Sequence, residues 1–276
     1  MIIGHDLKAK VDLLRRIWKL EPPELPPETM EFQRRNPWAP FISLIMNQEI
    51  NSKYAIVFPK WLYNKIGRFD GELLLELSEE EFKGILKEYI ESRWPSRKRK
   101  GSKEKWIDSM YKWITEAVKM LISESKNPVT MFEDREYTVQ ELYFTLTRFP
   151  GLGPKKAKVT IKEFIYSELG ISDWSSFWYS QIKEKRPNFK ISRESIDKLD
   201  IPIDVHVRRV YRRFMRETIN SVRTEDIIMF AKLVFPDLPA KLDDIFWNIG
   251  RKYCSRRNPR CYDCPLKSVC NFYLEK

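Results

Sequence analysis

Residues 149–159 read FPGLGPKKAKV, and the fold follows from what that stretch does to the backbone. Gly151 and Gly153 leave little side chain in the way, so backbone N–H groups there can lie close to a ligand. Pro154 suits the first turn of a helix, where a missing N–H costs nothing. Lys155, Lys156, Ala157, Lys158 and Val159 continue as that helix. Upstream, Thr138-Val139-Gln140-Glu141 has capping-box spacing and starts an earlier helix through Leu142, Leu146 and Phe149. The product is helix, tight glycine hairpin, helix, over about 142–165. Its free N–H groups and positive dipole end face outward as an anion site, for which a DNA phosphate is the natural occupant. The same residues also suit an ordinary helix–helix turn with a surface lysine pair, so the rest of the chain has to decide.

The 276 residues suffice for one large or two modest domains. Fifty Lys+Arg against 39 Asp+Glu give a net charge of +11, which points toward a polyanionic partner without proving one. No apolar run approaches the ~20 residues needed to span a bilayer. The N-terminus turns charged by Asp6 and lacks a secretory apolar region, so an intracellular protein is expected, cytoplasmic or nucleoid if prokaryotic. Nothing in the sequence suggests more than a monomer.

Helical periodicity dominates and strand alternation is scarce, so the chain reads as mainly α. Helices are expected at 6–19, 41–49, 52–66 (kinked or split at Pro59), 106–123, 204–217, 223–234 and 239–252. A second capping box, Ser78-Glu79-Glu80-Glu81, opens a helix through Phe82, Ile85, Leu86 and Tyr89. Residues 21–27, EPPELPP, read as a linker. The basic stretch 93–105 is either a solvated loop or part of a phosphate-binding face. In 171–200, Trp174, Phe177, Trp178 and Tyr179 sit among lysines. Such aromatics can stack on an extruded base, but packing of an inserted flap onto the body is the expectation.

All four cysteines cluster as Cys254-x6-Cys261-x2-Cys264-x5-Cys270 at one end of the chain, unlike a disulfide framework spread through a small secreted domain. Zinc usually takes two C-x2-C knuckles, and only Cys261/Cys264 has that spacing. The uneven spacing suits a [4Fe–4S] cluster, whose irons each take one thiolate. A cofactor that fixes this loop would hold Arg256, Arg257 and Arg260 rigidly, and phosphate contacts are expected from them.

Three segments together resemble the helix-hairpin-helix DNA glycosylases of the endonuclease III branch that carries an iron–sulfur cluster. They are FPGLGPKK at 149–156, IDVHVRRV at 203–210, and WNIGRKYC at 247–254 leading into the cysteines. The resemblance implies an all-α fold of two domains with the DNA cleft between them. A six-helix barrel would take 30–199, including an inserted segment 171–200. The cluster domain would combine 1–29 with 200–276 and hold the [4Fe–4S] loop 254–270.

It also implies roles. Lys155 follows G-x-G-x, where bifunctional members carry a lysine; its amine, at a helix N-terminus near other cations, should have a lowered pKa and attack the sugar C1′. Asp204 precedes V-H-V-R-R-V and would stabilise charge on the sugar, besides suiting the N-cap of the next helix. His206 reads as structural. Asn47 and Gln48 match the place where relatives fill the gap left by the flipped base. Gly151, Gly153, Lys156 and Lys158 would join them in holding double-stranded DNA. Adenine-removing relatives have a glutamate five residues before that glutamine, where this chain has Ser43. The implied activity is a base-excision glycosylase with AP lyase function, acting by default on oxidised pyrimidines. A monofunctional glycosylase acting on mismatched, deaminated or oxidised purine bases, or a non-catalytic damage-binding module, are the rival readings. Lys155 and Asp204 lie 49 positions apart, longer than the usual family connection, which marks 171–200 as inserted.

Overall fold

The computed structural model describes residues 2–19, 25–94, 101–172, 176–215 and 222–275, and of 2–6 the backbone alone. Its helices are α1 (Ile2–Ile17), α2 (Pro27–Arg35), α3 (Trp38–Met46), α4 (Ser52–Ile66), α5 (Gly71–Glu76), α6 (Glu79–Glu91), α7 (Ser102–Ser123), α8 (Val139–Thr147), α9 (Pro154–Glu168), α10 (Phe177–Lys185), α11 (Val205–Met215), α12 (Thr224–Val234), α13 (Lys241–Lys252) and α14 (Asn271–Leu274). The fold is all-α apart from β1 (Glu136–Tyr137) and β2 (Lys190–Ile191), a short parallel pair. No helix among the described residues is long and apolar enough to cross a membrane.

Local chemistry sets the helix starts. Ser78 and Thr138 each accept from the backbone N–H three residues on, and Glu81 and Glu141 reach back to complete both capping boxes. Asp70 caps α5 and Asn51 caps α4. Of the kink or split expected at Pro59, the split does not occur: α4 runs on through it from Ser52 to Ile66. Ala55, Phe58, Pro59 and Leu62 are all buried there, and that packing offsets the missing hydrogen bond.

Buried side chains gather into two cores. One is built from Trp38 to Leu199 with Leu238 and Ala240; the other joins Val11, Leu13 and Leu14 of α1 to residues between Ile201 and Leu266. The aromatic segment after α9 belongs to the first core. Trp178 is buried edge-on to Phe41, Phe132 and Phe164, and its indole N–H donates to the Pro128 carbonyl at 2.9 Å. Tyr179 is buried beside Phe164 and Phe189. Packing onto the body is thus what these rings do, although Trp178 and the half-buried Phe177 also reach the lining of a pocket; Trp174 lies outside the described residues.

Between the cores runs a buried polar bridge. Lys162 of α9 donates to Asp243 at 2.8 Å and Asp244 at 2.6 Å, both on α13. Asp244 also accepts from the Trp18 indole at 3.1 Å and from the Tyr166 hydroxyl. Burial opposes the Lys162 charge, but the neighbouring carboxylates outweigh it and hold its pKa above the ordinary lysine value.

Candidate active site at the glycine hairpin

The hairpin between α8 and α9 depends on its glycines in different ways. Gly151 has φ +80°, and a Cβ there would sit 3.0 Å from Ile45 Cγ2 and 3.2 Å from the Trp113 ring. Conformation and packing therefore both demand glycine. Gly153 has φ −71° and caps α9, yet a Cβ there would meet nothing within 4 Å. Nothing in the protein requires Gly153 to be bare, and no side chain caps the first turn of α9.

Lys155 follows at the start of α9. Its Nζ donates to Asp204 Oδ2 at 3.0 Å, across 49 positions of sequence. Asp204 stands just before α11, and its other oxygen accepts from the N–H groups of His206 at 2.7 Å and Val207 at 2.9 Å. The cap thus fixes the carboxylate that meets the lysine. Burial raises the Asp204 pKa, but the Val207 and His206 amides and the Lys155 ammonium outweigh it and hold it below the usual range. Its side chain is 12% exposed against 45% for Lys155, so the lysine is the partner that solvent or ligand reaches.

Lys156 turns the other way, which corrects its expected place on the DNA-binding face. Its Nζ donates to the Ile45 carbonyl at 2.8 Å. Burial, with the neighbouring Lys155 charge, lowers its pKa to about 7. Lys158 is partly engaged, 3.8 Å from Asp200, which also faces Lys232 at 3.5 Å. Asn47 and Gln48 are exposed at the end of α3, where the Gln48 carbonyl accepts from the Trp106 indole at 2.5 Å. Glu49, which follows, has φ +62°. The described part of the basic 93–105 stretch is 93–94 and 101–105; the rest lies outside the described residues.

His206 packs against Gly250 so closely that a Cβ at Gly250 would fall 2.7 Å from the His206 Cβ. Its Nδ1 lies 2.9 Å from Arg209, and burial lowers its pKa. This is a structural histidine. Arg209 also donates to the carbonyls of Cys254 and Gly250 at 2.7 and 2.9 Å. Arg213, one turn on, donates to the carbonyls of Ser255 at 2.7 Å and Arg256 at 2.9 Å, and lies 3.3 Å from Cys254 Sγ. Neither arginine is given a role by the sequence, although their spacing of four marks a shared face. Arg256, Arg257 and Arg260 are all exposed, and Arg260 also donates to the Lys252 carbonyl and lies over Tyr253, so its guanidinium is partly engaged.

The four cysteines are unpaired with one another and line one apolar-walled cavity with Val210, Phe214 and Leu266. Burial, then the other thiols, push Cys264 up to about 11 and raise Cys270. Among the described residues, no group of three or more His, Cys, Asp or Glu is arranged to hold a metal ion. The donor chemistry is all thiol, converging on one cavity, and it fits a cofactor broader than one ion.

A pocket of about 230 Å³, partly open to solvent, lies beside α9. Its polar lining is Gln33, Ser43, Asn47, Thr160, Glu163 and Ser176. Ser43, at the position of the adenine-removing glutamate, accepts from Gln33 at 2.9 Å.

No family model matches the chain. Among curated proteins, the endonuclease III of Thermotoga maritima is 31% identical over 77 residues, 28% of this chain and 35% of that protein. The endonuclease III of Sulfolobus acidocaldarius is 35% identical over 78 residues, 28% of this chain and 34% of that protein. The matched stretch spans about a third of either relative's length. Solved structures extend the likeness to the whole chain. An endonuclease III in a non-covalent DNA complex covers 99% of this chain and 95% of its own at a TM-score of 0.56 and 15% identity. A thermostable thymine-DNA glycosylase covers 100% of each at 0.55 and 13%. The chain has the fold of the helix-hairpin-helix DNA glycosylases.

Proposed function

We propose that this chain is a base-excision DNA glycosylase with AP lyase activity. The observation that carries it is the Lys155–Asp204 pair at the hairpin mouth, a nucleophile and a carboxylate joined at 3.0 Å. The relatives named endonuclease III support the same reading. Positively charged double-stranded DNA binders need a route for the backbone, and Gly153 offers one: its missing side chain leaves room that nothing inside the protein uses. Asn47 and Gln48 would enter the gap left by an extruded nucleotide, with Arg256 and Arg257 on flanking phosphates.

Lys155 must lose its proton before it attacks, and Asp204 is the adjacent acceptor or relay. The Nζ–C1′ bond then forms as the C1′–base bond breaks, and the departing base takes from Asp204 the proton that Lys155 gave up. Asp204, ionised, stabilises the positive charge that develops on the sugar. Opening of the sugar ring gives a Schiff base, and loss of the C2′ proton with cleavage of the C3′–O bond nicks the strand. Oxidised pyrimidines are the substrate class we adopt. Cys254, Cys261, Cys264 and Cys270 would hold a [4Fe–4S] cluster, which when bound supplies a rigid cross-link for the loop that Arg209 and Arg213 already tether. A brown protein with visible thiolate–iron absorbance is expected.

The test is base release and strand nicking by wild type, Lys155→Ala and Asp204→Asn. The reading predicts that Lys155→Ala abolishes both. Asp204→Asn should retain the cap, since Asn caps well, yet lose about 10²–10⁴-fold in rate. Base release that survives Lys155→Ala without nicking would instead assign a monofunctional enzyme.

A further inference from the structure

On α9, Val159 and Glu163 follow Lys155 by one and two turns on the same helical face. Both line the pocket described above, whose opposite wall is the end of α3 at Ser43 and Asn47. The Lys156 contact with the Ile45 carbonyl pins the start of α9 against α3, so the helix that carries Lys155 and the wall at Ser43 and Asn47 are held together. Phe177, from the segment inserted between α9 and α11, closes another side. Glu163 is the one ionisable side chain in this lining among the described residues.

We infer that this pocket receives the extruded base and that Glu163 reads its edge through paired hydrogen bonds. The inference rests on the base-excision reading above. A carboxylic acid offers a donor beside an acceptor, whereas a carboxylate offers acceptors alone. The acid complements a lactam edge, an N–H beside a carbonyl, as in uracil-type pyrimidines and 8-oxopurines. Burial pushes Glu163 up to about 8. The Lys162 charge opposes that shift and Asp244 and Asp243 add to it, while the polar groups facing it across the pocket, Ser43, Asn47 and Gln33, are uncharged. At neutral pH the side chain is therefore the acid, a carboxyl kept neutral so that it can donate.

The experiment compares base release from duplexes carrying thymine glycol, 8-oxoguanine or uracil opposite guanine with borohydride trapping on a preformed abasic duplex, which presents no base. The quantity read is the ratio of the two rates at each pH. For the lesion that wild type processes, this ratio should fall about thirtyfold from pH 7 to 9.5 as Glu163 ionises. Glu163→Gln, which keeps a donor and an acceptor but does not titrate, should give a flat ratio. Glu163→Leu should lower the ratio at pH 7 roughly tenfold or more, because the base edge loses its partner. A Glu163→Leu ratio equal to wild type, or a Glu163→Gln ratio that still falls with pH, overturns the inference and leaves the enzyme reading standing. Wild type that releases none of these bases overturns both. Should Glu163→Leu fail to fold, the Glu163→Gln profile decides alone.

Discussion

Lys155 meets Asp204 at the surface while Lys156, one residue and about 100° further round the helix, is enclosed against the Ile45 carbonyl. The enclosed one has its pKa lowered to about 7, and that makes a stability prediction. Between pH 7 and the unfolded lysine value near 10.5, the unfolded chain binds the proton that folded Lys156 has released. Stability contributed by Lys156 therefore rises with pH through that window. Glu163, raised to about 8, has the opposite sign, its contribution being lost as pH climbs to 8. Above pH 8 the Lys156 effect is left uncompensated by Glu163. Wild type should gain melting temperature from pH 8 to 10 relative to Lys156→Met, measured by thermal unfolding; parallel curves would show that Lys156 is not buried as described. The PKK motif made both lysines equal in the sequence, because which of two neighbours points inward depends on Ile45, more than a hundred positions away. Asp204 was legible because one side chain serves both as cap and as partner to Lys155. Arg209 and Arg213 were not, since their targets are backbone carbonyls of a loop.

The hairpin separates folding from binding within one element. Gly151→Ala should destabilise the protein by about 1–3 kcal/mol, because the positive φ and the contacts with Ile45 and Trp113 both penalise a Cβ. Gly153→Ala, with an ordinary φ and open space, should leave the melting temperature within about 0.5 kcal/mol of wild type and weaken duplex binding roughly tenfold. Equal destabilisation by both would contradict the assignment of Gly153 to a ligand. Capped helices were the readable elements: S-E-E-E and T-V-Q-E carry their own start signals. Of the kink or split expected at Pro59, the split did not occur, because tertiary burial outweighs a local backbone penalty. The helices α2, α5, α10 and α14 were missed; α5 and α14 span six and four residues, α2 follows directly on a proline-rich stretch, and α10 hides among aromatics that serve the first core.

At the scale of the whole molecule, the Lys155–Asp204 pair exists because two separately packed cores are held in register. Lys155 comes from a helix of the first core and Asp204 from the approach to the second. Two turns below them, Lys162 ties α9 to Asp243 and Asp244. Lys162→Met would leave those carboxylates buried without their cation, and a loss of about 3–5 kcal/mol by denaturant unfolding is expected. A change within 1 kcal/mol would mean that apolar contact alone holds the cores together. This bridge was invisible in the sequence, where Lys162 reads as one more helix charge. The fold class was visible, because hairpin, V-H-V-R-R-V and cysteine loop stand in a fixed order. The role of the inserted segment became apparent only when its aromatics were found inside the first core.

The most direct test of the central claim is borohydride trapping of wild type and Lys155→Ala on duplexes carrying an oxidised pyrimidine, an oxidised purine, uracil opposite guanine, or an abasic site. A covalent complex on a damaged-base duplex that disappears in Lys155→Ala is the predicted result. Base release with no trapped complex on any duplex, or trapping that persists in Lys155→Ala, would contradict Lys155 as the nucleophile.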